Sequence, residues 1–156
     1  MSGTVRVPGD KSISHRSLIL ASLADGESRV RGILDSEDVR ATAEVLRRLG
    51  VGIPTLAPEM RVKGLGIRGL TPPRRPLDCA NSGTPTRLIA GVVAGHPFSA
   101  RFEGDASLSR RPMKRVADPP PPMGAAVEFD PGARLPMTVR GLGRRSADWD
   151  TQPPTV

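Results

Sequence analysis

Residues 4–16 read TVRVPGDKSISHR, and residues 77–87 read LDCANSGTPTR. The first stretch decides the fold. A short alternating run, Thr4-Val5-Arg6-Val7, reads as a strand, and Pro8-Gly9 ends it. The chain then opens into a helix with Ser12 or Ser14 as its cap, and Arg16 begins the apolar run Leu18-Ile19. Asp25-Gly26 closes that helix. A strand is expected over Ser28–Gly32. Asp35-Ser36-Glu37-Asp38 then puts acids where a helix N-terminus favours them. Val39, Ala43, Leu46 and Leu49 recur at helical spacing, Gly50 follows as a stop, and Met60–Gly64 reads as β.

The same order returns in the second half of the chain. A helix carrying Arg87-Leu88-Ile89 ends at Gly95, and Phe98–Phe102 alternates as a strand. A helix is expected near Arg111-Pro112, and strands over Ala126–Phe129 and Leu135–Gly141. Arg16 aligns with Arg87, Gly32 with Gly104, Gly50 with Gly124 and Gly64 with Gly141. Strands and helices alternate in a unit that occurs twice, which makes the fold class α/β with repeated units. Pro119–Pro122 interrupts the second unit where the repeat calls for helix, because four prolines remove donors and clash with the preceding turn. Beyond Gly143 the apolar pattern fades, so residues 144–156 read as a divergent tail.

Composition narrows the partners. The 156 residues carry a net charge of +7, only three Phe, one Trp and no Tyr. The cations are spread along the chain among acids, with no basic block and almost no aromatic side chains for base stacking. That profile argues against nucleic acid and fits small anionic ligands. A single cysteine, Cys79, excludes an internal disulfide and reads as a small buried residue. His15 and His96 are far apart, so no metal site is expected. No apolar run reaches the length of a membrane span, and a cytoplasmic protein is expected.

Three segments carry the chemistry. Lys11, Ser12 and Arg16 place a point charge, a hydroxyl and a forked guanidinium at a helix start, where backbone N–H groups already favour an anion. His15 reads as a packing residue. In Asn81–Arg87, Pro85 suits the first helical position with Ser82 or Thr84 as cap, Gly83 leaves the backbone open to a ligand, and Arg87 sits one turn in. In Gly104–Pro112, Arg111 again brings a cation to a helix start. Glu37 and Asp38 read as surface acids that complement a helix dipole. No glycine-rich dinucleotide motif, Walker motif or Ser-His-Asp order is present.

Together GDKSISHR, NSGTPTR and GDASLSRRP, with LPMTVRG downstream, resemble the 5-enolpyruvylshikimate-3-phosphate synthase (3-phosphoshikimate 1-carboxyvinyltransferase) family. The resemblance runs from about Ser2 to Gly141 and covers the N-terminal third of the family's protein. It implies repeated βαβαββ units of the enolpyruvyl transferase inside-out barrel, with about two of the three units of one domain here. These lie near residues 11–66 and 77–142, within a partial domain 1–143. The implied reaction adds the 5-hydroxyl of shikimate 3-phosphate to phosphoenolpyruvate and expels phosphate, with no metal or organic cofactor. Residue by residue, Lys11 matches a lysine that touches both substrates and takes part in catalysis. Ser12 and Arg16 match the pair on shikimate 3-phosphate, and Gly83 and Arg111 match residues on phosphoenolpyruvate. Asn81, Thr84 and Arg87 take supporting places. Gly83 is the unsubstituted form of a position where a side chain would crowd phosphoenolpyruvate and its mimic glyphosate, so a complete enzyme with this loop is expected to be glyphosate-sensitive.

The departures set the limits of the resemblance. The family's Ser-Ala-Gln or Ser-Ser-Gln segment does not follow Gly141, and its acid and base residues lie in a second domain. The expectation is a truncated, frameshifted or split synthase, inactive alone, with a separate C-terminal half as the partner in the split case. Two other readings stay open. One is a relative of UDP-N-acetylglucosamine enolpyruvyl transferase. The other is a non-catalytic anion-binding or interaction module.

Overall fold

A computed structural model of the chain describes residues 3–5, 7–117, 124–130 and 132–142. In chain order the elements are α1 (Lys11–Leu23), β1 (Asp25–Arg31), α2 (Glu37–Arg48), β2 (Glu59–Leu65), β3 (Leu77–Asp78), α3 (Gly83–Ala94), β4 (Ser99–Glu103), α4 (Ala106–Ser109), α5 (Lys114–Ala117), β5 (Ala126–Asp130) and β6 (Arg134–Arg140). They form two sheets. β1 and β2 pair antiparallel from Asp25↔Leu65 to Arg31↔Glu59. The second sheet has the order β3-β4-β6-β5, with β3 parallel to β4 and the other pairs antiparallel. Its element order, with α4 and α5 together in the second helical place, is the expected βαβαββ unit.

Periodicity explains the layering. β2 alternates so that Met60, Val62 and Gly64 are buried while Arg61 and Lys63 face solvent. β6 buries Leu135, Met137 and Val139 in the same way. α2 buries Val39, Thr42, Ala43, Val45 and Leu46 along one face. The apolar side chains among them join Leu18, Leu49, Leu77, Ile89, Val93, Phe102 and Met113 in one core shared by both sheets and the three long helices.

The repeat is visible in its close contacts. A Cβ on Gly64 would lie 2.1 Å from the Ala24 carbonyl oxygen and 2.5 Å from that of Ala21. A Cβ on Gly141 would lie 1.9 Å from the His96 oxygen and 2.5 Å from that of Val93. In both units the last strand passes over the end of the first helix too closely for any side chain. Gly50 (φ +96°) and Gly124 (φ +76°) share the left-handed conformation.

Several expectations need correction. Thr4–Val7 does not form a strand in its described part: residues 3–5 and 7 lie outside any strand, and Val5 and Val7 are 85% and 81% exposed. The β1 edge that a segment in that place would pair with, as β3 pairs with β4, has no partner among the described residues. Asp25-Gly26 belongs to β1 rather than to the end of α1, because Asp25 already pairs with Leu65. The helix expected from Arg111-Pro112 is two short pieces, α4 before that dipeptide and α5 after it. Pro119–Pro122 and residues 144–156 lie outside the described residues.

Candidate functional site

Each cation-bearing segment opens a helix, though not with the expected caps. Asp10 is the N-cap of α1, and its carboxylate accepts from the Ile13 N–H at 2.7 Å. Ser12 and Ser14 are already helical. Ser14 is buried, donates to the Asp10 carbonyl at 2.7 Å and accepts from the Leu34 N–H at 2.9 Å, which ties α1 to the loop before α2. With Asp10 capping, the Ser12 hydroxyl and the Lys11 and Arg16 side chains stay on the exposed face. The Arg16 guanidinium turns back to the Ser12 carbonyl at 3.1 Å.

α3 repeats that geometry. It starts at Gly83 rather than Pro85, with Ser82 as N-cap. The Arg87 guanidinium turns back to the Gly83 carbonyl at 3.1 Å and reaches the Pro112 carbonyl at 3.3 Å. A Cβ added to Gly83 would lie 2.7 Å from Arg87 Nη1 and 3.5 Å from Arg111 Nη1. The bare backbone of Gly83 therefore sits beside two guanidinium groups from different parts of the chain. Asp105 caps α4 through the Leu108 N–H at 2.7 Å, and the Arg111 N–H donates to the Leu108 carbonyl at 3.0 Å. These bonds fix the turn that carries Arg111. Thr84 is half-buried in the first turn of α3, and Asn81 is exposed just before it.

Asp38 pairs α2 with α1, and the sequence reading missed it. It lies in the first turn of α2, forms an ion pair with Lys11, and its side chain is only 22% exposed. The Lys11 ammonium first, and then the hydroxyl of Ser82, hold its carboxyl below the usual aspartate range against the cost of partial burial. Ser82 is buried and makes no side-chain bond to its own helix. Lys11 and Asp38 thus pair across the starts of α1 and α2, while Gly83, Arg87 and Arg111 gather where the start of α3 meets the turn after α4. A surface reading of Asp38 fails because its sequence pattern suits any helix start. What betrays it is its ion pair with Lys11 of α1.

His15 is fully buried between α1 and α2. Its Nδ1 lies 2.7 Å from Thr42 Oγ1, whose hydroxyl donates to the Asp38 carbonyl at 3.2 Å. Burial lowers the His15 pKa, Lys11 and Arg16 push the same way, and Asp38 opposes them. The neutral ring is a packing residue, as expected. Cys79 is also buried, which pushes its thiol up to about 11 and removes it from nucleophilic chemistry. Among the described residues no group of three metal-binding side chains occurs, and no helix is long and apolar enough to cross a membrane.

Comparison with known proteins gives one consistent answer. The family model for EPSP synthase (3-phosphoshikimate 1-carboxyvinyltransferase) matches residues 1–156. A 3-phosphoshikimate 1-carboxyvinyltransferase of Novosphingobium aromaticivorans is 54% identical over 143 residues, covering 91% of this chain and 32% of the relative. One of Sphingopyxis alaskensis is 54% identical over 147 residues, covering 91% and 33%. An EPSP synthase structure from Acinetobacter baumannii superposes with a TM-score of 0.84 at 40% identity, over 89% of this chain and 32% of that one. The chain therefore spans about a third of the length of the relatives it matches.

Proposed function

The chain belongs to the EPSP synthase family, and from that premise we propose that its cation-bearing helix starts form one wall of a site for phosphoenolpyruvate and shikimate 3-phosphate. The observation that carries this reading is that Gly83, buried and without a side chain, lies directly against the guanidinium groups of Arg87 and Arg111. A carboxylate or phosphate reaching that backbone meets two forked cations and helix N–H groups at once. Arg111 and Gly83 take phosphoenolpyruvate. Ser12 and Arg16 take shikimate 3-phosphate. Lys11 reaches both substrates, and Asn81, Thr84 and Arg87 support the loop.

In the reaction, the 5-hydroxyl of shikimate 3-phosphate gives up its proton and its oxygen bonds to C2 of phosphoenolpyruvate while C3 gains a proton. The C2–O bond to phosphate then breaks as C3 loses a proton, which leaves the carboxyvinyl ether. The cations on this wall stabilise the phosphate and carboxylate charges through both steps. Proton transfer needs groups that the family resemblance places outside residues 1–156, so these residues alone bind the anions and turn nothing over. No cofactor enters the reaction, and residues near 11–66 and 77–142 act as two units of one domain in a cytoplasmic enzyme.

Titration of the isotope-labelled chain, followed by amide shifts, tests this. Shikimate 3-phosphate should move Lys11–Arg16, phosphoenolpyruvate should move Asn81–Arg87 and Arg111, and UDP-N-acetylglucosamine should move neither. Shifts with the nucleotide sugar alone would transfer the reading to the related transferase. No response to any of the three would leave a non-catalytic module. Growth of a synthase-deficient strain on this chain without aromatic supplements would refute the claim of inactivity.

A further inference from the structure

We propose that the open edge of β1 pairs antiparallel with β1 of a second copy of this chain, joining two small sheets into one across a two-fold axis at Ser28. By the repeat, β1 and β2 of the first unit correspond to β4 and β6 of the second. β4 carries β6 on one side and β3 on the other. β1 carries β2 on one side, and its other edge has no partner among the described residues. The place that β3 fills in the second unit is thus open in the first. The edge is seven residues long, holds no proline and keeps an unbroken register with β2, and such an edge is a template for another strand.

Backbone direction limits the register that strand can take. The Ala24 carbonyl accepts from the Gly66 N–H at 3.0 Å, and the Gly32 N–H donates to the Pro58 carbonyl at 2.7 Å. With regular alternation between them, Gly26, Ser28 and Val30 also turn their backbone groups toward β2. Asp25, Glu27, Arg29 and Arg31 turn theirs to the open edge, so in a two-fold pair these four must meet one another. A pair centred on Ser28 opposes Asp25 to Arg31 and Glu27 to Arg29, which gives opposite signs throughout and uses all seven residues. Centring on Glu27 or Arg29 sets that residue against its own copy. Centring on Gly26 sets acid against acid, and on Val30 arginine against arginine. Like charges directly opposite destabilise a pair, so the strand selects one register with itself.

Both faces accept the second strand. On the solvent face Glu27 already pairs with Arg61 and Arg29 with Glu59, and Glu27 and Arg29 stay half exposed. A second β1 extends that ladder. On the other face an open groove runs between α1, at Ser17, Leu20 and Ala24, and residues 28–31 of β1. Leu20 is 66% exposed there, although Ile19 and Ala21 beside it are buried. α1 packs over β2 more than over β1. In the pair the two copies of α1 therefore stand about three strand spacings apart, roughly 14 Å, against a helix diameter of roughly 10–12 Å. That distance admits both helices and leaves a gap that the two Leu20 side chains fill. The solvated charges set the register, while the paired backbone and the covering of Leu20 hold the copies together.

Sedimentation equilibrium of the 156-residue chain, from about 10 µM to about 1 mM, tests this over the range where small interfaces associate. A reversible monomer–dimer equilibrium is expected. Arg29→Glu sets acid against acid at two symmetric places and should weaken the dimer by about tenfold or more. Glu27→Arg should do the same. The double variant Glu27→Arg with Arg29→Glu restores opposite signs in the same register and should recover most of the affinity, which a dimer through any other surface would not show. Leu20→Lys alters only the exposed groove. It should weaken the dimer as well, and it decides the matter if charge reversal disturbs the fold by circular dichroism. Ser28→Cys, at the axis, should form a disulfide between chains on mild oxidation, while Cys79 stays buried. A chain that stays monomeric over the whole range would overturn the proposal, whether or not amide exchange finds the β1 edge covered by its own chain. A dimer that both Arg29→Glu and Leu20→Lys leave intact would overturn it too. Open-ended growth past the dimer would do so as well, because two-fold pairing uses up the edge.

Discussion

At Gly83 the missing side chain matters more than any residue present. An alanine there would bring its Cβ to 2.7 Å from Arg87 Nη1, the far end of a flexible side chain. The guanidinium can move aside, so Gly83→Ala should change stability by less than about 1 kcal/mol. With that guanidinium displaced, phosphoenolpyruvate binding should weaken by about tenfold in calorimetric titration. Asp38 and His15 respond to pH in related ways. The folded pKa of Asp38 is lowered, so its contribution is present above the ordinary aspartate value and lost as acid drives pH through the lowered one. The folded pKa of His15 is also lowered, by burial first. The unfolded chain then binds a proton near pH 6.5 that the folded chain refuses, so stability falls as pH drops below about 6.5. Urea unfolding at pH 7.5 and pH 5.5 should show that decline, and His15→Gln should flatten it.

Element boundaries control where the cations point. α4 has four residues, too few to hold a helix by its own hydrogen bonds, and it depends on Asp105 as its cap. Asp105→Ala should cost about 1 kcal/mol. It should also weaken phosphoenolpyruvate, because the Arg111 turn hangs from the Leu108 carbonyl. Denaturant unfolding and titration on one sample would separate the two effects. The turn before α3 stores some strain. Ala80 adopts φ +48°, a left-handed conformation that costs a side-chain-bearing residue about 1 kcal/mol or more. Its N–H is held by the Asp78 carboxylate at 2.9 Å, and its carbonyl accepts from the Asp105 N–H at 2.8 Å. The strained residue thus links the α3 loop to the α4 loop, and so Gly83 to Arg111.

Over the whole molecule, the two units share one core, and the last strand of each crosses the end of that unit's first helix at a glycine. Gly64→Ala and Gly141→Ala would each drive a Cβ into backbone oxygens at about 2 Å. Backbone cannot yield as a guanidinium can. Each change should cost more than about 3 kcal/mol and abolish a cooperative thermal transition. Cys79, fully buried in the shared core with its thiol pushed up to about 11, should resist thiol reagents at pH 8 until the chain unfolds. Its labelling rate is therefore a direct readout of global opening.

The repeat, the family and the cationic segments were legible along the chain, because each rests on local order. Alternation in β2 and β6, the apolar face of α2 and the glycines at matching places all depend on residues close in the chain. Cap choice was less legible. Asp10, Ser12 and Ser14 are all able caps, and the pull of Leu34 on Ser14 is a long-range contact. The Thr4–Val7 strand failed for the converse reason. Its alternation suits a strand, but a strand exists only with a partner, and these residues have none among those described. Folding alone brings Asp38 to Lys11 and Arg111 to Gly83. Those pairs lie more than 25 residues apart along the chain, where local patterns carry no information about which charges meet.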